Sequence, residues 1–291
     1  MTDILQTMLS VSLLIFMAGN LLEMGLKIGV NETLDALRDR RFVGLSILWA
    51  FVLCPVLALL LTKIIPMAEP YAVGLLFLAM APGAPFLPAV ATKAGGDLAY
   101  VGVFMLLTAV GTVIFMPFAI PVLVAGFSAA PWTIAKPLIF FIAAPLAVGI
   151  AVQIIASSFA EMAHPIIKWI TVIDTLILLG LVLWIYGSDF VSAIGTFAIG
   201  AQILFYALVT AGSYFFDAGL AYKCKSVLSL GVCTRNIGAA FAPLYAVAGT
   251  DRRAIAMCAL AVPITIIMAY VAAFLMAGNI AKDRGDKAHA A

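Results

Sequence analysis

The 291-residue chain is 65% hydrophobic and only 10% charged, and its mean hydropathy is +1.18. A soluble domain carries roughly a quarter charged residues, so this composition excludes a single globule in water and predicts that lipid covers much of the surface. The net charge of +2 comes without a basic run, which argues against a nucleic-acid partner.

Nine apolar segments approach or exceed the length needed to cross a bilayer, which takes about 20 residues. In chain order they are 4–29, 41–63, 71–94, 98–124, 136–157, 165–186, 189–215, 226–249 and 254–279. The connections between them are short and carry most of the charge. The sequence therefore predicts an all-α polytopic membrane protein, with one transporter domain over 1–291 and a disordered tail at 280–291.

Basic residues in the short loops predict the orientation. With the N-terminus outside, the outer side holds only Lys63, Lys136, Arg252 and Arg253. The inner side then holds Lys27, Arg38, Arg40, Arg41, Lys93, Lys168, Lys223, Lys225, Lys282, Arg284 and Lys287. We therefore expect a multi-pass protein of the cell inner (plasma) membrane, with the N-terminus outside and the C-terminus in the cytoplasm.

Two segments carry residues that interrupt helices. Segment 71–94 has Pro82, Pro85 and Pro88 beside Gly83, and segment 226–249 has the charged Arg235 at its centre. A proline inside a helix removes a backbone donor and clashes with the preceding turn. Unwound backbone in hydrocarbon is tolerated only where protein or water satisfies it, so we expect both breaks to face the interior.

The two broken segments correspond to each other. Gly-Gly-Asp at 95–97 and Gly-Thr-Asp at 249–251 close them at an offset of 154 residues, which sets Pro82 opposite Asn236. They are five segments apart, an odd number, so they cross in opposite directions. Paired interrupted helices in inverted halves are typical of a transporter's binding site. The sequence thus predicts an inverted repeat, with halves at about 4–124 and 136–279 and two crossing discontinuous helices.

At these residues the chain resembles the bile acid:sodium symporter superfamily. Residues 19–42 are similar to that family's helix and loop before its crossing region, 82–97 to its first crossing motif and 231–238 to its second. The nine segments match the branch that lacks the first helix of the ten-helix members. The resemblance implies a panel domain and a core domain, with the crossing helices in the core, and transport by alternating access.

The chain departs from the family where the resemblance implies sodium ligands. Leu87 and Pro88 replace hydroxyl and amide ligands, Gly231 replaces a glutamate and Arg235 replaces a glutamine, so that only Asn236 remains. A sodium ion needs several oxygen donors, and a guanidinium repels a cation strongly in a poorly hydrated site. We therefore expect that sodium coupling has been lost.

The same stretch is also similar to the arsenite-efflux permeases of the superfamily, which have Arg-Asn-Asn where this chain has Arg235 and Asn236 followed by Ile237. Those permeases carry a cysteine where this chain has Gly83, and a glutamate where it has Gly-Ala-Ala at 238–240. Arsenite efflux is therefore a minor alternative.

Arg235 is the leading candidate for substrate binding. An arginine in mid-membrane costs about 2.5–3.5 kcal/mol on insertion scales, so it needs a partner or a cavity. Its charge and the positive N-terminal ends of the second half-helices together favour a carboxylate or a similar anion. The predicted substrate site comprises Gly83, Ala84, Pro85, Pro88, Thr234, Arg235, Asn236 and Gly238.

Asp174, near the middle of segment 165–186, is the second ionisable candidate. A lone acid at this depth is expected to face the helix bundle. It is the natural counter-ion if Arg235 has a structural role, and it is equally a candidate proton carrier. The sequence leaves these two interpretations open.

The sequence thus predicts a secondary transporter for a small or amphipathic organic anion, without sodium and with protons as a candidate coupling ion. A sodium-coupled organic anion symporter of the bile acid type is the main alternative. No enzymatic activity is expected, because Ser–His, paired-Asp and HExxH motifs are missing. No cofactor or metal is expected either, because the four cysteines lack CxxC spacing.

Overall fold

The structure is a computed structural model that describes residues 2–124, 129–247 and 249–289. Over these residues the chain forms twelve helices. In chain order they are α1 (Thr2–Lys27), α2 (Val30–Ala36), α3 (Arg40–Ile64), α4 (Glu69–Ala79), α5 (Leu87–Lys93), α6 (Leu98–Leu123), α7 (Pro131–Ile155), α8 (Ser157–Ser192), α9 (Ala198–Phe215), α10 (Tyr222–Cys233), α11 (Ile237–Ala246) and α12 (Arg252–His289).

Seven of the described helices are long and apolar enough to cross a bilayer, namely α1, α3, α6, α7, α8, α9 and α12. The other two predicted segments are each divided into two short helices, α4 with α5 and α10 with α11. The predicted breaks are therefore observed, and the chain is a polytopic membrane protein of all-helical fold.

Two helices extend beyond their predicted ends. Helix α8 begins at Ser157 rather than at 165, with Pro165 inside it, since transmembrane helices tolerate the loss of one backbone hydrogen bond at a proline. Helix α12 extends to His289, which lies inside the stretch 280–291 that the sequence predicts as a disordered tail. That stretch has no proline and follows an established helix, so each further residue is added without a new nucleation cost.

Helices α1, α7 and α8 pack into one unit, called here the three-helix layer, in which α1 lies along both of the others. Gly25 on α1 faces Gly149 on α7, and a Cβ added to either glycine would lie 2.8 Å from the Cα of the other. Small residues of this kind let two membrane helices approach backbone to backbone.

The remaining crossing segments, α3 to α6 and α9 to α12, pack together as the core bundle. Many of its side chains are fully buried, among them Leu75, Phe77 and Phe104. The core bundle meets the three-helix layer where α6 and α11 contact α7, where α8 contacts α12, and where α1 contacts α11.

Helices α3 and α7 each contain a π-helical turn, at Trp49–Leu53 and Ile139–Ala143. Each turn ends two residues before a proline, Pro55 in α3 and Pro145 in α7. A wider turn relieves the clash between the proline ring and the preceding carbonyl groups. In α3 the first residue after this turn is Cys54, which is fully buried in the core bundle.

Candidate functional site

The two helix breaks lie side by side in the core bundle. Pro82 and Arg235 form an isolated antiparallel bridge, and the Gly83 N–H donates a hydrogen bond to the Thr234 carbonyl at 3.0 Å. Each unwound segment thus satisfies backbone groups of the other, which permits irregular backbone inside a membrane protein.

Asn236 joins this crossing to the start of α11. Its backbone N–H donates to the Ala81 carbonyl at 2.9 Å, and its side-chain Oδ1 accepts from the Ala239 N–H at 3.1 Å. The second bond is an N-cap, which satisfies one of the unpaired donors at a helix start. The Asn236 side chain is therefore committed to positioning α11.

Gly83 and Thr234 fix the path of the backbone at the crossing. Gly83 has φ +80°, in the left-handed region, and a Cβ there would lie 2.5 Å from the Thr108 hydroxyl oxygen. The Thr234 hydroxyl accepts from the Ala84 N–H at 3.3 Å and donates to the Gly231 carbonyl at 3.2 Å. Glycine is required at 83 for both its conformation and the space.

Arg235 is 1% exposed and points into the core bundle. Its Nη1 donates to the Ala79 carbonyl at 3.3 Å, and its Nη2 donates to the Cys54 sulfur at 3.0 Å. The guanidinium carbon lies 5.1 Å from the centre of the Phe205 ring. All three neighbours are uncharged or weakly polar groups of the core bundle.

No carboxylate in the described part of the chain forms an ion pair with Arg235. Its Nε is buried and has no hydrogen-bond partner. The guanidinium therefore keeps an uncompensated positive charge in an environment of low polarity, where such a charge acts over a longer range than in water.

Gly238, Pro85 and Pro88 lie at the edge of the crossing. A Cβ added to Gly238 would overlap the side chain of Met17 on α1, so the first turn of α11 faces the three-helix layer. Pro85 and Pro88 are half-buried, and Pro88 lies in the first turn of α5. Of the predicted site residues, Arg235 thus points into the core bundle and Gly238 faces the three-helix layer.

Asp174 lies elsewhere, on the face of α8 that packs against α1. It is 6% exposed, its Oδ1 accepts from the Ser12 hydroxyl at 2.8 Å, and its Oδ2 has no partner. With Ser12 it borders a groove of about 280 Å³ whose other residues are mostly apolar: Thr7, Met8, Val11, Ile15, Ile177 and Leu181. The structure does not bring Asp174 together with Arg235.

Two neighbours of the guanidinium, Cys54 and Phe205, are not predicted from the sequence. Cys54 looks like a small apolar filler, and the only local signal is the proline that follows it. Phe205 is one aromatic residue in an ordinary apolar segment and gives no signal. Among the described residues no group of three or more His, Cys, Asp or Glu side chains is arranged to hold a metal ion.

The match to a known family covers most of the three-helix layer and the first half of the crossing. The model of the sodium bile acid symporter family matches residues 12–193, which is more than half of the chain. None of the curated proteins compared with the chain matches it. The matched residues run from the middle of α1 to the end of α8 and include the break between α4 and α5. The chain therefore belongs to the sodium bile acid symporter family, whose members are multi-pass membrane transporters and not enzymes.

Proposed function

We propose that this secondary transporter carries a small or amphipathic organic anion and that its transport does not use sodium. The observation that carries the proposal is Arg235, a guanidinium that is 1% exposed and has no carboxylate partner among the described residues. In this proposal the side chain is a resident cation at the crossing.

The electrostatic argument rests on the neutrality of the guanidinium's neighbours. A carbonyl, a thiol and an aromatic ring each stabilise the cation, but none cancels its charge. At an effective dielectric constant of about 20, an anion roughly 8 Å away gains about 2 kcal/mol. The N-terminus of α11 contributes a dipole of the same sign.

The packing around Gly231 supports the loss of sodium coupling. A Cβ on Gly231 would lie 2.6 Å from the Phe104 ring, so the space that a glutamate side chain needs is filled by an apolar group. Leu87 is fully buried as well. Oxygen donors are thus replaced by packed hydrocarbon at two of the positions that the family resemblance assigns to sodium ligands.

The anion is proposed to bind between the core bundle and the three-helix layer. Gly238 faces Met17 of this layer. Pro85 and Pro88 are half-buried, and Ala84, Thr234 and Asn236 are buried at the helix breaks. Because the guanidinium of Arg235 is fully buried, it acts on the anion through space in this conformation. Direct contact requires a movement of the side chain.

Asp174 is proposed as a proton carrier. Its hydrogen bond comes from Ser12, and no cation in the described residues pairs with it. The unpartnered Oδ2 is an acceptor for a proton. Protons are therefore the coupling ion that we propose, with facilitated diffusion of the anion through the carrier, without a coupling ion, as the alternative.

The orientation with the N-terminus outside and the C-terminus in the cytoplasm, in the cell inner (plasma) membrane, is also proposed. The choice of the inner side rests on the basic residues of the short loops. Contacts among the predicted inner ends of the core helices support only the placement of these ends on one side. The Tyr222 hydroxyl donates to the Ala94 carbonyl at 3.2 Å and to the Met276 carbonyl at 2.7 Å. The Asp97 N–H donates to the Lys223 carbonyl at 3.3 Å.

A binding screen on the purified protein tests the proposal. Taurocholate and a series of short carboxylates are added in sodium chloride or in choline chloride, and the unfolding temperature is followed. A ligand at 100 times its Kd stabilises the native state by about 2.7 kcal/mol. We expect at least one anion to raise the unfolding temperature equally in both salts, and Arg235→Gln to lose the effect.

Arg235→Lys keeps the charge without the planar fork and is expected to retain part of the shift. Arg253→Gln is the matched control, since Arg253 pairs with Asp251, two residues before it, and lies away from the crossing. A shift that needs sodium would instead support the sodium-coupled symporter. An undiminished shift in a folded Arg235→Gln variant would contradict the role of the guanidinium.

A further inference from the structure

Arg252, the first residue of α12, reaches from the core bundle to α8 of the three-helix layer. Its Nε donates to Asp189 Oδ2 at 2.9 Å, and its Nη2 donates to the Ile185 carbonyl at 2.6 Å. The guanidinium carbon lies 5.2 Å from the centre of the Tyr186 ring. One side chain thus makes three contacts with the last two turns of α8.

A second contact joins the three-helix layer to the core bundle. The hydroxyls of Tyr186 on α8 and Tyr245 on α11 are 2.8 Å apart, within hydrogen-bond distance. Tyr245 lies in the last turn of α11, a few residues before Arg252. Helices α11 and α12 of the core bundle are therefore both bonded to the end of α8.

Arg253, the residue after Arg252, forms its ion pair elsewhere. The Nη2 of Arg253 donates to Asp251 Oδ2 at 2.8 Å, and that carboxylate lies two residues away in the chain. Its ion pair therefore joins the first turn of α12 to the residue just before that helix. The contrast makes Arg253 a control for any effect of removing positive charge at this end.

The chain itself also joins the layer to the core bundle here. Helix α8 passes into α9 through residues 193–197, in which Gly195 has φ +82° and Phe197 has φ +62°. A bulky side chain in the left-handed region is uncommon and marks a strained connection. The short connection and the contacts of Arg252 lie at the same end of the molecule.

The contacts are weak enough to break repeatedly. The side chain of Arg252 is 54% exposed and that of Asp189 is 20% exposed. An ion pair with this degree of exposure shifts an equilibrium by at most about five-fold. A contact of that strength biases one conformation without trapping it.

We propose that Arg252 and Asp189 form a reversible lock that holds the three-helix layer against the core bundle, and that breaking this contact is a step of the transport cycle. Arg252 is thus a positioning residue that acts through the arrangement of the two bodies. The inference rests on secondary transport, which family membership establishes, and not on the identity of the substrate.

Thiol labelling at Met17 tests the lock. Met17 on α1 is 4% exposed and contacts Gly238 across the boundary between the two bodies, so Met17→Cys reports their separation. The protein is reconstituted in nanodiscs and treated with a maleimide, and peptide mass spectrometry distinguishes this cysteine from the four buried native ones. We expect Arg252→Gln and Asp189→Asn each to speed labelling by about two- to five-fold.

The combined variant Arg252→Gln/Asp189→Asn is expected to label no faster than Arg252→Gln, because the contact that Asp189 makes is already lost in that variant. Arg253→Gln should leave the rate unchanged. An equal acceleration in Arg253→Gln would show a general charge effect and overturn the lock, as would no acceleration in Arg252→Gln.

Amide hydrogen exchange at 193–197, without the Met17 substitution, gives a second measurement in the same variants. We expect faster exchange in Arg252→Gln and Asp189→Asn and no change in Arg253→Gln, and the reverse pattern would overturn the proposal. Neither measurement uses a transported ligand. A negative result here therefore leaves the organic-anion proposal standing, and a negative ligand screen leaves the lock standing.

Discussion

At position 235 the chain places a guanidinium beside a thiol, a carbonyl and an aromatic ring. The sequence alone identifies Arg235, because a charged residue between apolar stretches stands out by composition. Its surroundings cannot be read in the same way. Cys54 is 181 residues away in the chain and contacts Arg235 only because α3 packs beside the crossing.

Gly231 provides a test of packing at the residue scale. We expect Gly231→Ala to destabilise the protein by about 1–3 kcal/mol, because the added Cβ would press against the Phe104 ring at 2.6 Å. The unfolding temperature measures this loss. Gly200→Ala is the control, since nothing lies within 4 Å of a Cβ at Gly200. Equal stability of the two variants would contradict the packing argument against sodium ligands.

Asp174 provides a test of proton coupling. In the native protein the Ser12 hydroxyl donates to Asp174 Oδ1 at 2.8 Å. Asp174→Asn keeps an oxygen that can accept this bond, but the amide cannot take up or release a proton. In proteoliposomes that contain a pH-sensitive dye, we expect the anion identified by the binding screen to change the internal pH with the native protein and not with the variant. Anion binding should be unchanged, because Asp174 lies outside the crossing. A normal pH response in Asp174→Asn would contradict the carrier role.

At the scale of single elements, the features that local chemistry controls are predicted correctly. Pro82 and Pro85 between α4 and α5 break that segment, as expected from the missing backbone donors. The extent of α8 from Ser157 is not predicted, because an internal proline is compatible with either a helix start or a helix interior. Tertiary contact decides between the two.

The contact between α1 and α7 gives a prediction for an element pair. Gly25→Leu should push α1 away from α7, because its Cβ alone would lie 2.6 Å from the Leu146 carbonyl oxygen. We expect a loss of at least about 1–3 kcal/mol in stability, seen as a lower unfolding temperature. Gly180→Leu, on the open side of α8 in the same layer, should have little effect. If both variants unfold at the same temperature, the close approach of the two helices is not required.

At the scale of the whole molecule, membrane class, helical fold and family follow from composition, the nine apolar segments and the crossing motifs. The packing partners of each helix cannot be predicted from these features. The bond between Ser12 and Asp174 joins residues 162 positions apart, and no sequence pattern indicates that α1 lies along α8. The sequence likewise predicts only that Arg252 is a basic residue of an outer loop, and gives no sign of its contacts with α8.

The bonds at the crossing between Ala81, Gly83, Thr234 and Asn236 are mostly made by peptide groups. Main-chain hydrogen bonds of this kind do not depend on which side chains are present, except that the backbone path requires glycine at position 83. The backbone arrangement at the crossing therefore does not depend on the side chains that bind the transported solute. The groups that face the solute can therefore differ between relatives while the scaffold that carries them stays intact.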